Sequence, residues 1–265
     1  MKIGVIGASG RMGQAVLNEA QAQGVEPAAA LVGAHSTKLN QETVSGLRFT
    51  DGSELAVGGV DVLIDFSLPA ALPTNLQLAE RLGVPLVVCT TGLDAEHYAL
   101  LDQAAASIPV LYAANTSVGI CLMEQLVQLA SASLPDADIE ITEAHHSAKR
   151  DAPSGTAWVL GEAAARGRDT ILAEVSAGVR GDGLRQADSI GFSVIRAADI
   201  IGEHSVLLAQ PGERIEMQHR VSDRRIFARG ALQAAQWLEG QPAGRYRMAD
   251  SLNLTAHLRT LLEQI

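Results

Sequence analysis

Cysteine is scarce in this chain: Cys89 and Cys121 are the two in 265 residues. They lie far apart, without C-x-x-C spacing. That excludes a disulfide framework and a zinc knuckle, and points to a reducing, cytoplasmic setting. Long apolar runs are also missing. The opening MKIGVIGASGRMG is apolar at first, but Arg11 interrupts it. Nothing approaches the roughly 18 uninterrupted apolar residues of a spanning helix, so neither a signal peptide nor a membrane association is expected. Positive charge is thin, with 20 Lys and Arg against 30 Asp and Glu and a formal net charge of −10. A general nucleic-acid binder is therefore not expected, because phosphate backbones reward clustered cations. A local basic pocket for an acidic small molecule stays open. Since 47% of residues are apolar, a core is readily built and wholesale disorder is not expected.

What is present is a repeating order of elements. KIGVI (Lys2–Ile6) is a short apolar run bounded by glycine, as a buried strand is. Helical spacing follows over Arg11–Gln23, then a second strand over Pro27–Val32. Further apolar strands are expected at Val60–Phe66, Val84–Thr90 and Ile108–Ala114, separated by helices at Pro69–Leu82 and Asp94–Ala106. Strands alternating with helices imply βαβ units on a parallel sheet, with right-handed crossovers. After about Ser117 the pattern changes. Asp138–His145 and Arg214–Val221 alternate apolar and polar, SIGFSVIRA and EHSVLLAQ are further strand candidates, and PGE at Pro211–Glu213 marks a hairpin. These suggest a mixed or antiparallel sheet in a second domain. Phe227–Gly240 returns to helix, where the chain is expected to rejoin the first domain. Gly167–Ala187, rich in Gly, Asp and Arg, reads as a long loop.

The first strand ends in GASGRMG, with Gly7, Gly10 and Gly13. This is G-x-x-G-x-x-G, looser than the usual dinucleotide fingerprint. Its place at the first βα turn is the context such a fingerprint needs: glycine allows the turn and lets a pyrophosphate approach the helix start. A turn that binds nothing is the plainer alternative. The acid that grips an NAD ribose at the end of the second strand is absent. Val32 and Gly33 stand there, followed by His35, Ser36 and Lys38, which suit a 2′-phosphate. NADPH is therefore expected to be preferred over NADH. Two later strand ends, CTTG (Cys89–Gly92) and AANTS (Ala113–Ser117), close with small polar residues. Thr90, Thr91 and Asn115 there are placed to meet a nicotinamide carboxamide; ordinary capping is the alternative.

EAHHSAKRDAPSGTA (Glu143–Ala157) gathers protonatable and cationic groups in one connection. His145 and His146 are neighbours on a strand and so point to opposite faces. Metal ligation needs at least about three converging ligands; only Glu143 and Asp151 are near in sequence, and no metal site is expected. Inert histidines are another reading. Proton transfer explains more residues: histidine titrates near neutrality, and Lys149 adds a charge to bind an anion or steady a developing one. Pro153, Ser154 as N-cap, Gly155 and Thr156 then open a helix whose start suits a carboxylate.

GASGRMG, DFS, TTG, AANTSVG, EAHHSAKRDAPSGTA and IGEH, in this order, resemble the 4-hydroxy-tetrahydrodipicolinate reductase family, also called dihydrodipicolinate reductase. The resemblance runs over essentially the whole chain. It implies an α/β fold: a Rossmann-type nucleotide-binding domain over residues 1–116 and 227–265, and an α+β substrate and tetramerisation domain over 117–226. It implies NAD(P)H-dependent reduction of a small dicarboxylate in the diaminopimelate and lysine pathway, by a cytoplasmic homotetramer. By position, His145 would donate the proton with Lys149 as catalytic partner, and His146, Gly155 and Thr156 would bind the dicarboxylate. Gly7, Ala8, Ser9, Gly10, Arg11 and Met12 would hold the cofactor with Cys89, Thr90 and Thr91 and with Ala113, Ala114, Asn115 and Thr116. Cys89 stands where glycine is common in the family, and its backbone would serve there. Two rivals remain: a semialdehyde dehydrogenase, which needs a cysteine nucleophile, and a non-catalytic NADP-sensing protein.

Overall fold

The computed structural model describes residues 1–43 and 46–263; the last two residues of the predicted C-terminal segment lie outside that range. The chain divides into two compact units. One comprises Met1–Val118 and the segment from Arg225 onward; the other is Gly119–Arg224.

The first unit opens with β1 (Lys2–Ile6), α1 (Arg11–Ala22), β2 (Glu26–Leu31), β3 (Phe49–Thr50), β4 (Val62–Asp65), α2 (Leu72–Leu82), β5 (Leu86–Val88), α3 (Ala95–Ala104) and β6 (Pro109–Tyr112). The chain then builds the second unit from α4 (Val118–Ser133), β7 (Asp138–His145), α5 (Gly155–Arg166), α6 (Leu172–Val175), β8 (Ser176–Val179), β9 (Ile190–Arg196), β10 (Gly202–Gln210) and β11 (Glu213–Val221). It returns through α7 (Arg225–Leu238), β12 (Gly244–Arg247), α8 (Met248–Ser251) and α9 (Leu254–Leu262).

The first unit's sheet has seven parallel strands in the order β12-β6-β5-β4-β1-β2-β3. Its central strands are apolar runs because helices cover both faces: every residue of β4 and β5 is buried. All carboxyl ends lie on one edge, so the loops after β1, β4, β5 and β6 emerge side by side. Hydrogen bonds tie them together there: Phe66 N–H to the Ile6 carbonyl (3.0 Å), Cys89 N–H to Asp65 (2.8 Å) and Ala113 N–H to Val88 (2.9 Å).

The second unit holds a five-stranded sheet in the order β11-β10-β7-β9-β8. It is mixed: β7 is antiparallel to β10 and parallel to β9. β7 and β10 alternate buried and partly exposed residues, as their sequences do. The buried face packs on α5 through Ala157, Leu160, Ala163 and Ala164 against Ile139, Ile141 and Phe192. That packing fixes the start of α5 relative to the end of β7.

Three strands escape the sequence pattern. The expected loop over Gly167–Ala187 instead contains α6 and β8, an edge strand parallel to β9. β3 has only two residues, and β12 (Gly244–Arg247) is polar. Edge strands bury little, so they carry no apolar run for the eye to find. Among the described residues, no helix is long and apolar enough to cross a membrane.

Candidate functional site

In the first unit, the loop after β1 is shaped for a close approach. Gly7 has φ +74°, and a Cβ there would meet the Phe66 carbonyl at 2.6 Å. A Cβ on Gly13 would overlap the Gly7 carbonyl, so the first turn of α1 presses onto the end of β1. Gly10 is the N-cap and supplies no side-chain cap, and the first turn of α1 carries no acid. The donors and positive dipole end of α1 are thus left for an anion. Ser9 and Arg11 are exposed around this turn, Met12 is half-buried, and buried Ala8 is anchored by its N–H to the Leu31 carbonyl at 3.0 Å. The turn fits a dinucleotide pyrophosphate.

Beside it opens a cleft of about 600 Å³ whose lining includes Gly7, Val32, Gly33, Asp51, Ser67 and Arg81. On the β2 side the lining runs to Ala34; His35, Ser36 and Lys38 are not part of it. Asp51 brings a carboxylate from just after the next strand, β3, whose Thr50 carbonyl accepts the Val32 N–H at 2.9 Å. Ser53 donates to that carboxylate through N–H (3.0 Å) and hydroxyl (2.6 Å), and these bonds lower its pKa. Beneath the cleft, fully buried Asp65 accepts from Ser67 N–H (2.8 Å) and Asn75 Nδ2 (3.0 Å). Burial raises its pKa and these donors oppose the rise.

Cys89 and Thr90 are buried, whereas Thr91 is exposed. Burial, and then the Asp65 charge, push the Cys89 thiol well up. Cys121 is buried too, so neither sulfur is poised as a nucleophile. In the loop after β6, Ala113 is buried and Ala114 exposed. Asn115 Oδ1 accepts from Ser117 N–H at 2.8 Å. Thr116 donates its hydroxyl to the Phe227 carbonyl at 2.7 Å, and its own carbonyl lies against Gly230 of α7.

In the second unit, His145 ends β7 and His146 follows it, both half-buried. His145 Nδ1 lies 2.6 Å from Glu143 Oε2. Burial lowers the His145 pKa, while Glu143 raises it. The His204 ring on β10 meets the His145 ring edge-on, with centroids 5.3 Å apart. Lys149 Nζ forms an ion pair with both oxygens of Asp151, at 2.9 and 2.8 Å. Ser154 caps α5, its Oγ accepting from Ala157 N–H at 3.2 Å. Gly155 is exposed and Thr156 half-buried in the first turn, and a Cβ on Gly155 would touch nothing within 4 Å. The β7–α5 connection thus brings His145, His146, Lys149, Gly155 and Thr156 into one short stretch, with a capped helix start for an anionic group.

Glu143, Arg196 and His204 were not singled out as functional from the sequence. Glu143 precedes His145 by two positions, so strand periodicity already put both on one face. The other two needed the sheet register: Arg196 pairs with His145 across β9, and His204 pairs with Glu143 across β10.

Two family models cover nearly the whole chain: "Dihydrodipicolinate reductase, N-terminus" over residues 1–116 and "Dihydrodipicolinate reductase, C-terminus" over 119–252. The chain is 46% identical over 264 residues to a protein of Alkalilimnicola ehrlichii named 4-hydroxy-tetrahydrodipicolinate reductase, covering 96% of this chain and 99% of that one. It is 44% identical over 264 residues to the protein of that name from Pseudoalteromonas translucida, covering 96% and 98%. Among solved structures, the dipicolinate-bound dihydrodipicolinate reductase from Paenisporosarcina sp. TG-14 shares the fold, with TM-score 0.72 and 22% identity over 93% of this chain and 97% of that one.

Proposed function

The chain belongs to the dihydrodipicolinate reductase family, and from that premise we propose that it reduces 4-hydroxy-tetrahydrodipicolinate to tetrahydrodipicolinate in the diaminopimelate and lysine pathway. It is an oxidoreductase that uses NADH or NADPH. The reduced nicotinamide supplies the hydride when bound. In this reading residues 1–116 and 227–265 serve the cofactor, and residues 117–226 serve the substrate and the assembly of a cytoplasmic homotetramer.

Gly7 to Met12 receive the pyrophosphate on the uncapped start of α1. The backbone at Cys89, Thr90 and Thr91 and at Ala113 to Thr116 borders the nicotinamide. On the other unit, the start of α5 at Gly155 and Thr156 takes one substrate carboxylate through backbone N–H groups, with His146 beside it. Lys149 meets the substrate's negative charge, and releases Asp151 as it does so. His145 donates the proton: as imidazolium it holds one N–H toward Glu143 and gives up the other, from Nε2, to the reduced ring. The observation that carries this assignment is the 2.6 Å approach of His145 Nδ1 to a buried carboxylate, which commits that nitrogen and leaves Nε2 to react.

The long exposed edge strand β11 supports assembly through the second sheet. Sedimentation should give a tetramer; a monomer at working concentration refutes that part. For the reaction itself, loss of reduced-nicotinamide absorbance is followed while the product of dihydrodipicolinate synthase is supplied. Turnover dependent on that substrate is expected. Cofactor binding without oxidation would instead identify a sensing protein.

A further inference from the structure

Glu143 is 1% exposed, yet four donors converge on its two oxygens. Arg196 grips it as a fork, Nη1 to Oε2 at 2.8 Å and Nη2 to Oε1 at 2.7 Å. His145 Nδ1 shares Oε2 at 2.6 Å, and Ser154 N–H donates to Oε1 at 3.1 Å. Burial alone would raise the Glu143 pKa, but Arg196 and then His145 reverse the sign, so the carboxylate stays ionised. A buried ion pair of this kind contributes little net stability, because desolvation offsets its attraction. The geometry has a different consequence. A carboxylate accepts and cannot donate, so the nitrogen facing it must carry the proton. His145 Nε2 points to the other side, next to Gly202, where a Cβ would come within 3.1 Å of it.

We propose that Glu143, gripped by Arg196, is the positioning residue of this site: it fixes His145 in the Nδ1–H form with Nε2 on the side away from the carboxylate, and through Ser154 it holds the start of α5 in register with that ring. The assignment rests on the reading that His145 gives the proton. Every ring nitrogen that could react would otherwise be split between two tautomers, and the imidazole would be free to turn about χ2. Ser154 makes the coupling two-sided. Its N–H anchors Glu143 while its Oγ caps α5, so the proton donor and the carboxylate cradle share one support. The charged and titratable groups around the imidazole are Glu143 on its own strand, Lys149 and Asp151 in the following loop, Arg196 on β9 and His204 on β10, with His219 beyond it on β11.

The test uses the full-length protein labelled with ¹⁵N in histidine. In wild type, His145 should titrate from imidazolium to a single Nδ1–H tautomer. In Glu143→Gln a mixture of tautomers should appear, and the titration should move to lower pH because a stabilising negative charge is lost. The alkaline fall of kcat should move down with it. Loss of a tautomer-holding carboxylate lowers turnover strongly, here by roughly 10- to 10³-fold, while the dissociation constant for the reduced cofactor stays within about twofold. Arg196→Lys keeps the charge but loses the fork, and should give the same mixture with a smaller loss; it carries the test if Glu143→Gln does not fold. A single Nδ1–H tautomer with a wild-type pH profile in the folded variants overturns the proposal. A shifted tautomer in Glu143→Gln together with full turnover in His145→Gln would keep the positioning and remove the proton-donor role, so the two failures are distinct.

Discussion

Ser154 Oγ lies 3.0 Å from Nε2 of His204, and both residues are buried. Because Ser154 Oγ already accepts from Ala157 N–H, its own hydrogen is available for the imidazole. The hydroxyl can give that hydrogen to Nε2 or accept a second bond from Nε2–H, and either way the His204 ring is joined to the cap of α5. Burial, then the neighbouring His145, push the His204 pKa down to about 3.

That sets the sign of a pH dependence. An unfolded histidine titrates near its ordinary value of about 6.5, whereas burial keeps the folded His204 from taking the proton until about pH 3. Between those values the unfolded state binds the extra proton, so stability falls as pH falls, by up to about 1.4 kcal/mol per unit. Above 6.5 the residue contributes no slope. Melting temperatures recorded from pH 7 to 4 should drop, and His204→Gln should flatten that decline even if it lowers stability at pH 7. An unchanged slope in the variant would assign acid sensitivity elsewhere.

His145→Gln removes the acid but keeps a polar side chain of similar length. Loss of a positioned general acid typically lowers turnover by roughly 10²–10⁴-fold. Fluorescence titration of the reduced cofactor should be unchanged, since the loops assigned to it belong to the other unit. Wild-type kcat would rule His145 out as the donor.

Lys149→Ala should raise KM and lower kcat together, because the ammonium meets the substrate's charge before and during reduction. The Lys149–Asp151 pair is largely a solvent-side contact, so thermal stability should change by less than about 1 kcal/mol. Kinetics indistinguishable from wild type would free Lys149 of both roles.

The central strands and the helix cap at Ser154 were legible because apolar runs, glycine turns and capping residues act locally. The histidine segment is compact for a similar reason: the groups proposed to act in the reaction sit within one connection. What the sequence hid depends on register. Arg196 is 53 residues from Glu143 and reaches it only because β9 lies parallel beside β7. A carboxylate absent from the end of β2 stands one strand over at Asp51, just after a two-residue strand too short to be recognised. Short edge strands are stabilised by pairing and not by burial, so periodicity cannot reveal them.

Asp51 bears on cofactor choice. Its carboxylate lines the cleft beside the end of β2, where a fingerprint of this type places the adenosine ribose. A 2′-phosphate there would face a like charge, a repulsion that solvent screens but does not abolish. Asp51→Asn should therefore raise NADPH affinity relative to NADH. Equal dissociation-constant ratios in variant and wild type would place the 2′-position away from this residue.

Gly230, in the middle of α7, lies against the loop after β6. A Cβ there would overlap the Thr116 carbonyl oxygen, and the obstacle is backbone that cannot rotate away. The Thr116 hydroxyl ties the same loop to the same helix, donating to the Phe227 carbonyl one turn earlier in α7. Alanine is ordinarily the better helix residue, favoured over glycine by about 1 kcal/mol. Here the sign should reverse. Gly230→Ala must either lift α7 off its packing with α1, where Arg229 pairs with buried Glu19 at 2.7 Å, or push the Ala113–Thr116 loop outward. Overpacking of this kind typically costs about 1–3 kcal/mol. If the loop yields, the melting temperature should drop modestly and the dissociation constant for the reduced cofactor should rise, while the His145 titration stays as in wild type. If the helix yields, stability should fall with cofactor affinity nearly retained. A variant at least as stable as wild type, with unchanged cofactor binding, would show that Thr116 and α7 are not in the close contact described.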